Sequence, residues 1–364
     1  IKDSSVSLGV LLKYPDRPPR NRTVTTGAAV PAPVREVRSL KGDLAMSVIG
    51  AGNYASRTLL PALKSAGAVY RNIITSKGLT ATHAARKFGF QNASTDLSQA
   101  WIGDSGSTVI IATRHSTHAG FTVEALKHGK NVFVEKPLSV TLEGLRNIEQ
   151  AYEDAEHKPI VMVGFNRRFS PLTQKMKSLL GPLTSPKVVN ITINAGAIPE
   201  DHWTQSTHEG RRLIGEGCHF IDLARFLVGQ PITSARADAA TPHPGSGNGE
   251  DHFVITLKFH GGSIATIQYF ANGHRSFPKE RIEVACQGRM LQLDNFRVLR
   301  GYGFGMFSKM KLWRQDKGQA AMAKAFTAAV GGGAASPIAW PELVEVARVS
   351  IELAESLRHE NPLT

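Results

Sequence analysis

The segment Leu44-Ala45-Met46-Ser47-Val48-Ile49-Gly50-Ala51-Gly52-Asn53-Tyr54-Ala55 is an apolar strand running into a G-x-G-x-x-A turn that opens a helix. Each small residue has a physical role. Gly50 permits the tight turn, Gly52 lets the backbone approach a pyrophosphate without a Cβ in the way, and Ala55 lets helix and strand pack closely. The helix N-terminus then faces the phosphates with its free N–H groups. Without strand and helix on either side the glycine pattern means little; a tight turn that binds nothing is the competing explanation.

Outward from this turn the chain alternates strands and helices. Val69–Thr75, Thr108–Ala112, Asn131–Val134 and Ile160–Phe165 read as strands, and Tyr54–Ala66, Thr80–Phe88, Thr117–His128 and Leu142–Ala155 as helices. That rhythm predicts a doubly wound parallel sheet. After Gly181 the pattern becomes strand-rich: Val188–Asn194, His252–His260, Ser263–Phe270, Arg281–Cys286 and Met290–Leu293, with Gly261-Gly262 as a hairpin turn. Gly217–Leu227 reads as a helix, Gly331–Gly333 as a loop and Glu342–Leu357 as an amphipathic closing helix. The expected class is α/β, in three parts. Residues 1–43 form a strand, Ser5–Tyr14, and a Pro-rich arm; residues 44–165 form the dinucleotide-binding domain; residues 166–364 form a substrate and oligomerisation domain of α+β type, with an open, mainly antiparallel sheet.

Composition narrows the function. The 364 residues carry 43 Lys/Arg against 30 Asp/Glu, a net charge of +13 that favours anionic partners. There is no basic stripe interleaved with aromatics, so nucleic-acid binding is not expected. No apolar run approaches the ~20 residues of a membrane span. Two cysteines, Cys218 and Cys286, make neither a disulfide framework nor a zinc site, which fits a reducing, cytoplasmic setting. Strand two ends Thr75-Ser76-Lys77, and no Asp or Glu lies between Asp43 and Asp96. A carboxylate for the ribose hydroxyls of NAD is therefore missing, and Ser76 and Lys77 suit the 2′-phosphate of NADP. NADP is favoured over NAD, with a simply solvated Lys77 as the alternative. Asn131–Val134 leads into Glu135-Lys136-Pro137, which puts a lysine beyond the carboxyl end of a parallel strand, where it can stabilise a developing alkoxide.

Taken in order, Gly50–Ala55, His118, Gly129 to Pro137, Gly164-Phe165-Asn166-Arg167-Arg168-Phe169 and Gly217-Cys218-His219-Phe220-Ile221-Asp222 resemble the glucose–fructose oxidoreductase / inositol dehydrogenase (Gfo/Idh/MocA) family over about residues 44–360. The resemblance implies a Rossmann domain followed by an open-sheet domain that often forms a homo-oligomer interface, an NAD(P) cofactor, and a sugar, cyclitol or nucleotide-sugar substrate. The cofactor set becomes Gly50, Gly52, Asn53, Tyr54, Ala55, Ser76, Lys77, Thr113, His118, Glu135 and Lys136. It makes His219 the general acid/base and Lys136 its electrostatic partner. Where the family usually has an aspartate, four residues before the histidine, this chain has Gly215; Glu216 or Asp222 is expected to take over. Arg167, His202 and Trp203 are the further substrate candidates, with ion pairing or edge-capping as their alternative roles. Residues 1–22 also resemble the tail of a medium-chain alcohol-dehydrogenase-like module preceding this one. Two other functions stay open: redox-neutral glycoside cleavage by oxidation and elimination, and a non-catalytic dinucleotide-binding partner module.

Overall fold

A computed structural model describes residues 22–26, 44–103, 105–240 and 251–360. The expected strand Ser5–Tyr14 and the resemblance to a preceding module lie outside the described residues.

Among the described residues the first sheet has seven strands: β1 Thr23–Thr25, β2 Ala45–Ile49, β3 Val69–Ile74, β4 Asn92–Ser94, β5 Thr108–Ile111, β6 Asn131–Val134 and β7 Val161–Val163. Their spatial order is β1-β4-β3-β2-β5-β6-β7, parallel throughout except for β1, which runs antiparallel to β4. Every residue of β2 and of β5 is buried, because helices cover both faces of the sheet. Each large aliphatic there contributes roughly 1.5–3 kcal/mol. The order reverses at β2, between β3 and β5, so the crevice beyond their carboxyl ends is the natural ligand position. The connecting helices are α1 Leu60–Ser65, α2 Gly78–Phe88, α3 His115–Lys127 and α4 Leu142–Asp154. A π turn, Ala55–Leu59, feeds α1. The Thr141 hydroxyl caps α4 by accepting the Gly144 N–H at 3.1 Å.

After α5, Pro171–Leu180, comes an eight-stranded sheet built from β8 Val188–Asn194, β9 Ile232–Ala239, β10 Phe253–Phe259, β11 Ile264–Phe270, β12 Glu280–Cys286, β13 Arg289–Asp294, β14 Val298–Tyr302 and β15 Lys309–Lys311. Its order is β15-β14-β13-β12-β8-β11-β10-β9; only β8 and β11 pair in parallel. Gly261 and Gly262, both at positive φ, turn the β10–β11 hairpin as expected. Three helices follow or interrupt: α6 Cys218–Val228, α7 Gln319–Gly332 and α8 Trp340–Glu360. One expectation is corrected here. Gly331–Gly333 is not a free loop: the helix runs through Gly332, and only Gly333, at φ 61°, stops it. Among the described residues no helix is long and apolar enough to cross a membrane.

Candidate active site

The carboxyl ends of β2, β3, β5 and β6 open into one cleft of ≈ 1220 Å³, lined by the residues that directly follow each strand. After β2, Gly50 sits at φ 99°, and a Cβ there would lie 2.2 Å from the Ala112 carbonyl oxygen. Its N–H donates to the Ile74 carbonyl at 2.9 Å, tying the turn to β3. A Cβ on Gly52 would meet nothing within 4 Å; it would project into open cleft space. Ser56 N–H is bonded back to the Gly52 carbonyl at 2.9 Å. The preceding amides of Asn53, Tyr54 and Ala55 have no helical acceptor and form a cradle for an anion. The turn therefore fits a dinucleotide's pyrophosphate.

After β3, Thr75, Ser76, Lys77 and Thr80 line the same cleft, with Thr95 from the end of β4. Ser76 and Lys77 are exposed, and among the described residues that line the cleft Glu135 is the one carboxylate. After β5, Thr113 lines the cleft, its hydroxyl 2.7 Å from that of Thr117. After β6, the Glu135 carboxyl is buried with Oε1 unpartnered, and burial raises its pKa to about 7. Tyr54 faces it, its phenol pushed far upward by burial and by Glu135.

Lys136 and His219 both line this cleft. The Lys136 ammonium donates to the Gly215 carbonyl at 2.7 Å. A π turn, Leu213–Gly217, brings that carbonyl forward and delivers His219 on the first turn of α6. The His219 imidazole is buried, with Nδ1 unpartnered. Burial, then Arg167, Lys136 and Lys317, keeps it neutral well below the usual histidine range.

Several expected contacts are redirected. Asp222 does not orient the imidazole: both its oxygens take Arg168, Oδ2 from Nε at 3.1 Å and Oδ1 from Nη2. A carboxylate buried this deeply needs its counter-ion more than a neutral ring does. Glu216 accepts the Tyr269 hydroxyl and lies 3.5 Å from Arg212. Burial opposes its charge, but Lys136, Tyr269 and Arg212 together hold its carboxyl below the ordinary range. His118 has both nitrogens against backbone carbonyls, Nδ1 at 2.7 Å from Pro137 and Nε2 at 3.3 Å from Thr113. Fully buried, it braces the two loops that carry Thr113 and Lys136 rather than offering a free polar atom. His202 is exposed and off the cleft, its Nδ1 2.7 Å from the Thr204 hydroxyl. Trp203 does line the cleft, edge-on to His115 at 4.9 Å and beneath the Arg114 guanidinium at 5.0 Å. Arg167 lines it too, while donating to Glu280.

Sequence reasoning missed His115, Lys317 and Glu280. His115 lies one turn before His118 at the start of α3, and its Nδ1 donates to the Glu209 carbonyl at 2.8 Å. Burial, with Lys136 adding, lowers its pKa to about 3. The one available signal was the expected helix itself, which begins two residues earlier than its apolar pattern suggests.

Residues 44–165 match the model of the oxidoreductase family with an NAD-binding Rossmann fold, and residues 180–292 match the GFO/IDH/MocA C-terminal domain. Inositol 2-dehydrogenase 2 of Saccharopolyspora erythraea is 32% identical over 171 residues, 45% of this chain and 48% of that protein. Inositol 2-dehydrogenase of Paracoccus denitrificans is 28% identical over 240 residues, 64% and 69% of the two chains. The chain thus spans about half to two thirds of the length of these curated relatives. A levoglucosan dehydrogenase solved with NADH and levoglucosan superposes with a TM-score of 0.76 at 21% identity, covering 87% of this chain and 98% of that one, a likeness of fold.

Proposed function

Because this chain belongs to the Gfo/Idh/MocA oxidoreductase family, we propose that it oxidises a hydroxyl-bearing carbon of a sugar or cyclitol, or reduces the matching ketone, using a nicotinamide dinucleotide. The observation that carries this is the meeting of Lys136, His219 and the Gly50–Ala55 cradle in one cleft. Bound dinucleotide would supply the hydride acceptor or donor. Lys136 keeps one proton of its ammonium on the Gly215 carbonyl and has others for the substrate oxygen, where its charge steadies a developing alkoxide. His219 is neutral, as a base must be, and with Nδ1 buried it takes the hydroxyl proton at Nε2.

NADP is the favoured dinucleotide, since Ser76 and Lys77 line the cleft where a carboxylate for NAD would stand. A cytoplasmic setting and a homo-oligomer formed through the open sheet belong to the same reading. Supporting the latter, Tyr302, Met290, Ala285, Val188 and Ile264 are cross-strand partners in one row, and Tyr302, Met290 and Val188 are exposed.

Titration with NADPH and NADH, followed by a screen of sugars and cyclitols for a change in nicotinamide absorbance, tests the proposal. Lys136→Met should lower kcat/KM by about 10²-fold or more. Full activity in that variant would refute the assignment. Glu135, titrating near 7 on the same cleft, favours one second reading: a carboxyl so poised suits removal of a C–H proton in oxidation–elimination of a glycoside. Release of an aglycone without net cofactor change would select it.

A further inference from the structure

Arg167 and Lys317 converge on a single carboxylate. Arg167 donates from Nε and Nη2 to Glu280 Oε2 and Oε1 at 3.2 and 2.8 Å, and Lys317 Nζ donates to Oε1 at 2.8 Å. Glu280 is 1% exposed. Burial alone would raise its pKa, but the two cations hold it at about 2, so it stays ionised. Two positive charges against one negative leave a surplus at the cleft wall. Among the described residues no hydrogen bond uses Arg167 Nη1, and two of the three Lys317 ammonium protons are not spent on Glu280.

The pair is built in rather than incidental. Arg167 stands on the short turn Asn166–Phe169, and Lys317 directly precedes Gly318 and α7. Gly318, at φ 88°, sits so close to this turn that a Cβ would lie 2.4 Å from both Asn166 O and Ser170 N. Asn166 Nδ2 donates to the Lys317 carbonyl and Ser170 Oγ to the Asp316 carbonyl, each at 2.7 Å. These bonds clamp the two cations side by side. At the α7 N-terminus the Gly318 N–H donates to the Asp316 carboxylate at 2.8 Å, the first helical turn itself carries no acid, and Gln319 there lines the cleft. Arg167, Lys317 and the buried His219, whose Nδ1 is unpartnered, line that same cleft. Burial depresses the Lys317 pKa, and Arg167 adds to this against the pull of Glu280. A desolvated cation of this kind gains most from a further anion.

We propose that Arg167 and Lys317 form a subsite for an anionic group, a carboxylate or a phosphate, carried by the substrate close to its reacting hydroxyl. This rests on the oxidoreductase reading and narrows it from sugars in general to acidic sugars. The cradle for the cofactor's own phosphates is a separate segment, Gly50–Ala55.

The test is binding of D-glucuronate, D-galacturonate and D-glucose 6-phosphate, against D-glucose and D-galactose, to the protein loaded with whichever of NADPH or NADH it holds more tightly. At least one anionic sugar should bind about tenfold or more tighter than its neutral counterpart. The uronate and phosphate arms tell the two anions apart. In Lys317→Gln the preference should fall to about twofold or less, with dinucleotide Kd within about threefold of wild type. Should Lys317→Gln not fold, Lys317→Arg must keep the preference. Equal binding of anionic and neutral sugars, or binding of neither, overturns the subsite and leaves the oxidoreductase reading standing. A protein that binds no dinucleotide overturns both.

Discussion

The Lys136 ammonium is bonded at 2.7 Å to the main-chain carbonyl of Gly215, a residue with no side chain of its own to offer. Residue 215, four positions before His219, thus contributes a backbone oxygen to the cleft lysine. The space a side chain there would need is taken: a Cβ at 215 would lie 3.1 Å from Cε1 and 3.5 Å from Nδ1 of His115. His115 is in turn fixed by the Glu209 carbonyl and the edge of Trp203. Glycine at 215 and histidine at 115 are therefore one arrangement.

Gly215→Ala should cost on the order of 1–2 kcal/mol, because the ring must give by a few tenths of an ångström with its Nδ1 bond already made. Gly215→Asp should cost more, since it also buries a carboxylate. The pair predicts non-additivity. Adding His115→Ala to Gly215→Asp should restore part of the stability lost by Gly215→Asp alone. Thermal unfolding of the four proteins measures it; simple additivity would break the link.

Asp222→Asn separates a packing role from a catalytic one. The Arg168–Asp222 pair is buried, 5% and 1% exposed, and Glu342 adds a second carboxylate 3.0 Å from Arg168. Removing the Asp222 charge should destabilise the fold by roughly 3 kcal/mol. The pH profile of kcat should keep its shape, because Asp222 is spent on Arg168. A stable variant with a displaced pH profile would return Asp222 to the imidazole.

How far these features could be read beforehand depends on what fixes each residue. The continuous apolar run Thr108–Ile111 and the alternating pattern of Val188–Asn194 declare themselves locally, and so does the glycine turn. Strand β4, Asn-Ala-Ser, has no such pattern; it exists because Asn72, Ile73 and Ile74 give it a ladder. The three-residue β1 and β15 sit at sheet edges for the same reason. Lys136 and His219 follow from the strand and helix that carry them. Lys317 and His115 do not, because Lys317 acquires its place from Glu280, 37 residues away, and His115 from Glu209, 94 residues away. Asp222 was assigned by helical spacing from His219, which ignored Arg168, a stronger partner 54 residues off.

The choice of dinucleotide should turn on one exposed side chain. Lys77 flanks the cleft at the start of α2, beside Ser76 and with no carboxylate at the end of β3. Lys77→Glu should weaken NADPH binding by roughly tenfold or more through lost attraction to the 2′-phosphate. The same change should leave NADH binding equal or tighter. Fluorescence titration of both dinucleotides decides this, and equal weakening of the two would show that Lys77 reads something else.

Glu135 gives a stability prediction with a definite sign. Burial raises its pKa in the folded protein to about 7, against an ordinary carboxyl value of 4.5. Between those values the folded state holds a proton that the unfolded chain has released. This group's contribution is therefore fully present below about pH 4.5 and is lost as pH rises through about 7. Glu135→Gln keeps the shape and removes the titration. Relative to wild type it should gain on the order of 1–3 kcal/mol between pH 5 and pH 8. Chemical denaturation across that range measures the difference. The other buried titrating groups, among them His115 and Asp222, are present in both proteins and cancel in the comparison. A constant offset between wild type and Glu135→Gln would mean that the carboxyl is ionised throughout.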